Sequence, residues 1–461
     1  PFSLRINVIL SLMKALGRRA LEVLVLLLLL GACAGAPKAP PTASGAGLAP
    51  ETRPGSLLGW SELGTLAAAR VRGLFFLLAP GVLSTQLGTG NLRAIGFPEW
   101  RKRRAGALRD VRKVKIAFAA RLPEGGLERQ SGLLLFPATG EGESKALAWV
   151  VFMRGTELLR ESVPSRNRGN ELPFIETLAS LGYAVWAPDY AGMGDGPGVQ
   201  EYCVPESLAD SGLDGLAAAR SYLAAAGQGE TGRLAIMGYS EGGLGAMACL
   251  AALASGRLEA PGLELAAAYP LSAPLNLQLG YPSSGAGPLL LNRPDYLIFL
   301  ALGWARAYPS QVRIEEILSP RTMHELVPLF DGTRSDRELH AAVCRVVGKK
   351  RGRVVDSDIF APGFLERVRE APESAPYCRA QTAERLDRFT PPPGVRVLLA
   401  ASPTDEVVSF ANSAGEAAWA KEKAPGSLLS LLVLESPDHL RGAVEALLYS
   451  IVDFDTREGP R

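Results

Sequence analysis

From residue 114 onward, short and wholly apolar runs alternate with longer segments that are apolar on one face. Residues 114–121 and 131–136 read as two antiparallel strands joined through the Gly-containing turn at 123–126. The unbroken apolar run 146–153 is what a parallel strand covered on both faces requires. Residues 172–181 read as a helix stopped by Gly182, and 183–187 as the next strand. A long Ala-rich helix follows at 206–225, then a strand at 234–237, a helix at 242–254 and a strand at 263–269. The pattern resumes with strands at 395–400 and 428–434 and closes with a helix at 441–452. The expected fold class is therefore α/β, a mostly parallel sheet with helices on both faces.

The interval 275–390 breaks this rhythm. It is helix-like and punctuated by prolines, as at 296–307 between Pro294 and Pro309. It reads as a mainly helical cap inserted between two core parts, 56–274 and 391–461. Within the first part, residues 56–112 mix apolar and basic positions without a legible assignment, and Arg101-Lys102-Arg103-Arg104 reads as a solvated loop.

The N-terminal stretch follows a different logic. Met13 is followed by Lys14, Arg18 and Arg19, then by the apolar run 23–30, and small residues Gly31-Ala32 precede Cys33. This is the pattern of an export signal over 1–33, with residues 1–12 upstream of its start. Leu30-Gly31-Ala32-Cys33 resembles the bacterial lipobox, in which the cysteine is acylated and becomes the mature N-terminus. Two acyl chains hold a protein on a membrane where one binds only marginally. Residues 34–55, rich in Pro, Ala, Gly and Ser, read as a flexible tether. The apolar run is short for a spanning helix. The expectation is an exported, membrane-anchored lipoprotein of the cell envelope, attached through Cys33. An uncleaved anchor and cleavage without lipid are the alternatives.

Composition narrows the chemistry. With 47% apolar and 21% charged residues the chain has the makings of an ordinary globular core, and a net charge of +2 is nearly neutral at this length. Basic residues are scattered and not interleaved with aromatics, so nucleic acid is excluded as a partner. Cys344 and Cys378 both fall in the expected cap, where export would permit a disulfide between them, although spacing alone does not pair them. Cys249 reads as simply buried. Only three histidines occur, His324, His340 and His439, and no His-x-x-x-His or Cys-x-x-Cys cluster exists, so a zinc site is disfavoured.

Gly238-Tyr239-Ser240-Glu241-Gly242 lies between an apolar strand and a helix, which is the setting of a nucleophile elbow. Such a turn exposes the Ser240 oxygen and puts the backbone N–H of Glu241 at a helix N-terminus, facing a developing oxyanion. Serine needs a base. His324 and His340 lie in the expected cap, ahead of any acid on the later strands, so the order serine, acid, histidine leaves His439. The acid is expected after the strand before it, at Asp405, with Glu406 and Asp438 as rivals. A second oxyanion donor is expected in the loop after strand 146–153, at the N–H of Thr156 in Arg154-Gly155-Thr156.

With these residues in hand, the span 114–454 resembles the secretory lipase and bacterial esterase group of the α/β-hydrolases. The resemblance rests on Ser131-Gly132-Leu133, Gly155-Thr156, Val163-Pro164-Ser165, the elbow, and above all Pro188-Asp189-Tyr190-Ala191-Gly192-Met193-Gly194. It implies hydrolysis of carboxylic esters, acylglycerols among them, through an acyl-enzyme, with no metal and no organic cofactor. It also implies a structural Asp189. One departure stands out: the group usually carries His where this chain has Arg154, which either favours an anionic substrate or takes a structural place. A peptidase or amidase of the same fold, and a non-catalytic envelope protein, are the other readings.

Overall fold

Trp149, Trp186 and Phe118 are fully buried on one face of a central sheet, and Phe152, Tyr183 and Tyr269 on the other. Burying an aromatic of that size removes about 150–250 Å² from water, worth roughly 4–6 kcal/mol each. That two-sided burial is why the strands read as unbroken apolar runs. The computed structural model describes residues 48–49, 52–77, 89–138, 146–280 and 288–458. The signal region, Cys33 and most of the expected tether lie outside them.

The sheet has nine strands: β1 (Leu57–Leu66), β2 (Val111–Arg121), β3 (Leu127–Pro137), β4 (Leu147–Met153), β5 (Ala184–Pro188), β6 (Glu230–Tyr239), β7 (Glu264–Leu271), β8 (Arg396–Ala401) and β9 (Leu428–Val433). Their order is β1-β2-β3-β5-β4-β6-β7-β8-β9. Pairings from β1 to β5 along this order are antiparallel, and those from β5 to β9 are parallel. The mostly parallel α/β class read from the pattern is the class observed. From β4 the chain first moves to one side, to β5, then returns to place β6 on the other. Ligand crevices form at the carboxyl ends of strands where the order reverses in this way.

Helices α1 (Ala68–Leu77), α2 (Thr89–Ala94), α3 (Phe97–Arg104), α4 (Leu172–Leu181), α5 (Pro205–Ala225) and α6 (Glu241–Ala254) precede a long insertion after β7. Gly182 closes α4 with φ 117°, donating its N–H to Ala179 O and Leu178 O. Between β7 and β8 run α7 (Pro294–Ala307), α8 (Asp336–Val347), α9 (Pro362–Glu370) and α10 (Pro376–Ala383). Ser335 and Glu338 form a capping box at the start of α8. Helices α11 (Ala411–Lys423) and α12 (His439–Glu458) complete the chain.

Three expectations change. The unassigned stretch after residue 56 is largely structured: β1 pairs antiparallel with β2 at the sheet edge. Its side chains are mostly exposed, so no apolar run marks it. Residues 101–104 form the last turn of α3 and not a loop, with Arg104 paired to Asp455 at 2.7 Å. Cys344 and Cys378 are free thiols. They sit on α8 and α10, which pack against different neighbours.

The insertion is held to the rest of the fold by part-buried polar contacts. Arg306 pairs with Glu128 at 2.6 Å, Glu384 accepts from the Glu206 N–H at 2.9 Å, and Asp336 accepts from the Leu158 N–H at 3.0 Å. Burial pushes Glu128 up to about 7 against the pull of Arg306, and Glu384 up to about 8 against the Glu206 bond. Such groups hold a proton in the folded state where the unfolded chain has lost it. Folding stability therefore falls as pH rises from the ordinary glutamate value toward about 8. The thermal midpoint should be higher near pH ~5.5 than near pH ~8.5, and Glu384→Gln should shrink the difference; thermal unfolding of both chains across that range is the check.

Candidate active site

Strand β6 ends at Tyr239 and α6 begins at Glu241, leaving one residue to make the corner. Ser240 takes φ 60°, ψ −122°, a conformation costly for a residue with a side chain. Its N–H donates to Leu271 O at 2.9 Å, and its carbonyl accepts from Leu244 N–H at 3.1 Å. The corner is possible only because its flanks are bare. A Cβ on Gly242 would collide with the carbonyls of Met153 and Arg154, and one on Gly238 with Gly242 O and Met153 O. The elbow is thus pressed directly onto the end of β4.

The other two predicted groups reach Ser240 from neighbouring strand ends. Asp405 lies in the turn after β8, and His439 at the first position of α12 after β9. His439 Nε2 is 2.9 Å from Ser240 Oγ, and its Nδ1 is 2.7 Å from Asp405 Oδ2. The second Asp405 oxygen accepts the N–H groups of Val407 and Val408, both at 2.9 Å. The aspartate's two oxygens are thereby split between its own turn and the imidazole. Ser402 Oγ donates to Ser436 O at 2.7 Å, tying the aspartate turn to the histidine loop.

The rival acids do other work. Glu406 accepts the backbone N–H of His439 at 3.0 Å, and Asp438 accepts the Arg441 N–H at 2.8 Å in the first turn of α12. The other histidines stay in the insertion: His324 is exposed, and His340 bonds Asp295 at 3.0 Å. Although burial opposes it, the bonds from His340 and Arg293 hold Asp295 below the usual carboxylate range.

The loop after β4 carries the remaining candidate. Thr156 is half-buried between buried neighbours, and its Oγ1 is 2.9 Å from the Tyr202 hydroxyl. Gly155 N–H donates to Glu171 Oε1 at 3.0 Å. Glu241, as the first residue of α6, has an N–H that precedes the intrahelical pattern.

Arg154 does not face substrate. It is 1% exposed, with its guanidinium 4.3 Å from the Tyr190 ring centroid. It donates to Gly155 O at 2.7 Å, to Asp189 O at 2.8 Å and to Gln200 Oε1 at 3.1 Å. It also lies 3.7 Å from Glu241 Oε2. Burial pushes Glu241 up to about 7 against the Arg154 charge, and its Oε1 accepts from Gln200 at 2.5 Å. Asp189 accepts from the Ser131 hydroxyl at 2.6 Å and the Ser165 N–H at 2.9 Å, so it braces the surrounding loops. Glu171, Gln200 and Tyr202 escaped the sequence reading because nothing in their spacing points to a common place.

Ser240, Glu241 and Asp405 open onto a cavity of about 450 Å³. Leu277, Leu289, Leu291, Leu297 and Leu300 of the insertion give it an apolar wall, with Asn276 and Arg293 among its polar groups. Among the described residues no cluster of His, Cys, Asp and Glu could hold a metal ion, and no helix is long and apolar enough to cross a membrane.

Comparison with known proteins agrees with this architecture. Residues 162–278 match the secretory lipase family. The chain is similar in structure to a protein of Legionella pneumophila, with TM-score 0.68 and 21% identity over 88% of this chain and 100% of that one. It is also similar to the rice cell wall degrading esterase LipA from Xanthomonas oryzae, with TM-score 0.66 and 20% identity over 88% and 98%. For Candida antarctica lipase A in its closed state the values are 0.54 and 15% over 84% and 78%. No curated protein sequence matches the chain. These likenesses show the α/β-hydrolase fold.

The elbow's contact with β4 carries its own consequence. Gly242→Ala should destabilise the fold by about 1–3 kcal/mol and displace Ser240 from His439. Thermal unfolding together with labelling by a serine-directed fluorophosphonate checks this, and labelling at the unmutated rate would contradict it.

Proposed function

Starting from an α/β-hydrolase chain whose residues 162–278 match the secretory lipases, we propose a serine carboxylester hydrolase that works through an acyl-enzyme. The observation that carries the reading is the continuous relay Ser240–His439–Asp405, at 2.9 and 2.7 Å. Ser240 Oγ attacks the ester carbonyl while His439 Nε2 takes its proton. Asp405 holds the proton on Nδ1 and stabilises the imidazolium. The tetrahedral oxyanion is met by the N–H groups of Thr156 and Glu241. His439 then returns the proton to the departing alcohol, leaving the acyl group on Ser240. Water, activated by the same imidazole, releases the acid. No step calls for a metal or an organic cofactor.

The leucine wall of the cavity supplies an apolar surface for the acyl or alcohol part, which favours ester substrates with a hydrocarbon component, lipids included. In this reading the insertion, residues 275–390, is the cap that forms the substrate wall. The export signal and an acylated Cys33 would set the enzyme on the cell envelope, with residues 34–55 as tether. A peptidase or amidase would use the same relay, and the acidic residues lining the cavity, Glu241, Asp405 and Glu406, are already engaged by Gln200, the His439 ring and the His439 N–H.

The chain lacking residues 1–33 should hydrolyse p-nitrophenyl esters in preference to aminoacyl anilides. Ser240→Ala and His439→Ala should each lower kcat by roughly 10⁴–10⁶-fold, because the two act as a unit. Anilide preference would favour the amidase reading, and substantial activity in His439→Ala would sink the relay. Palmitate labelling of the full chain, lost in Cys33→Ser, is expected of the anchor; an unlabelled parent chain would remove it.

A further inference from the structure

The oxyanion loop is held from behind by a buried arginine. Taking the Ser240 reading above as its basis, we infer that Arg154 and Glu171 are positioning residues that set the two peptide planes of this loop and so aim the Thr156 N–H. A trans peptide is flat, with its C=O and N–H pointing in opposite directions. Gly155 O is turned inward onto Arg154 Nη1 at 2.7 Å, so the N–H on the other end of the same peptide, that of Thr156, is turned outward. The preceding plane is fixed from both sides. Glu171 Oε1 takes the Gly155 N–H at 3.0 Å, and the Tyr190 hydroxyl donates to Arg154 O at 2.8 Å. Among the described residues the Thr156 N–H has no protein acceptor. Its side chain bonds Tyr202, which lines the cavity shared by Ser240 and Glu241.

The guanidinium itself is clamped so that it cannot follow the loop. Nε and Nη2 both donate to Asp189 O, Nη2 also to Gln200, and the plane stacks on Tyr190. A lysine ammonium is a point charge on a flexible stem and does not reproduce this fork. Arg154 is also the cation shared by a group of buried carboxyls. Burial pushes Glu157, Glu171, Asp189 and Glu241 upward, and in each case Arg154 pulls the other way. Its charge lies against the Gly155–Thr156 peptide, through Gly155 O, and 3.7 Å from the Glu241 carboxylate.

A loss of aim should damage the transition state and spare the ground state. In the full chain, Arg154→Met should lower kcat on p-nitrophenyl butyrate by roughly 10²–10³-fold, with KM nearly unchanged. Affinity for an alkyl trifluoromethyl ketone, which forms a tetrahedral adduct on serine, should weaken in parallel. Arg154→Lys should recover only part of either. Where Arg154→Met fails to fold, the Glu171 pair decides. Glu171→Gln keeps an oxygen for the Gly155 N–H and should retain both kcat and ketone affinity, whereas Glu171→Leu should lose both. A folded Arg154→Met with unchanged kcat and ketone affinity, or Glu171→Gln and Glu171→Leu behaving alike, would overturn the inference. An unmutated chain that neither turns over esters nor binds the ketone would instead overturn the Ser240 reading on which it rests.

Discussion

The corner between β6 and α6 approaches the carbonyls at the end of β4 so closely that it can carry no side chain where they meet. Gly242 sits against the carbonyls of Met153 and Arg154, and Gly238 against Gly242 and Met153. Everything else in the site follows from this contact. It forces Ser240 into a conformation that costs about 1–3 kcal/mol and so holds its side chain out of the sheet. It also brings the loop after β4 beside the first N–H of α6. The proposed nucleophile and oxyanion donors thus share one junction at the point where strand order reverses, between β4 and β6. The strain is offset by the apolar core on both faces of the sheet, which gains several kcal/mol from each large aromatic it buries.

Electrostatics at this junction are layered. On the cavity side lies the relay, with the Asp405 side chain 1% exposed and divided between its own turn and His439. On the buried side lies Arg154 among Glu157, Glu171, Asp189 and Glu241. An unpaired charge in such a place would be expensive, and the arginine answers it with a planar fork that bonds three acceptors and stacks on Tyr190. Removing the arginine from a buried set of this kind leaves its carboxyl neighbours without the cation they share. The departure from the histidine of the resembling group is thereby absorbed as structure. It leaves the cavity wall to the leucines and polar groups of the insertion.

Legibility in the sequence followed burial and locality. The parallel strands were readable because both faces are covered, and the helices because their stops, such as Gly182, are local. β1 was not readable, since its side chains are mostly exposed and only Leu66 is buried. The elbow was readable as a motif because the residues that must stay bare fall within five positions of one another. His439 followed from scarcity and strand order, and Asp405 from its place after β8. Glu171 and Gln200 act across the fold on Arg154 and its neighbours, and no spacing rule links positions 16 and 46 residues apart. The free thiols of Cys344 and Cys378 make the same point: co-residence in one insertion does not bring two side chains together.

Intact-mass measurement and peptide mapping after reaction with diethyl p-nitrophenyl phosphate test whether Ser240 is the nucleophile primed by His439. One diethylphosphoryl group per chain is expected, on the peptide carrying Ser240, with its formation strongly slowed in His439→Ala. An unmodified chain, an adduct on another residue, or equal rates with and without His439 would contradict it.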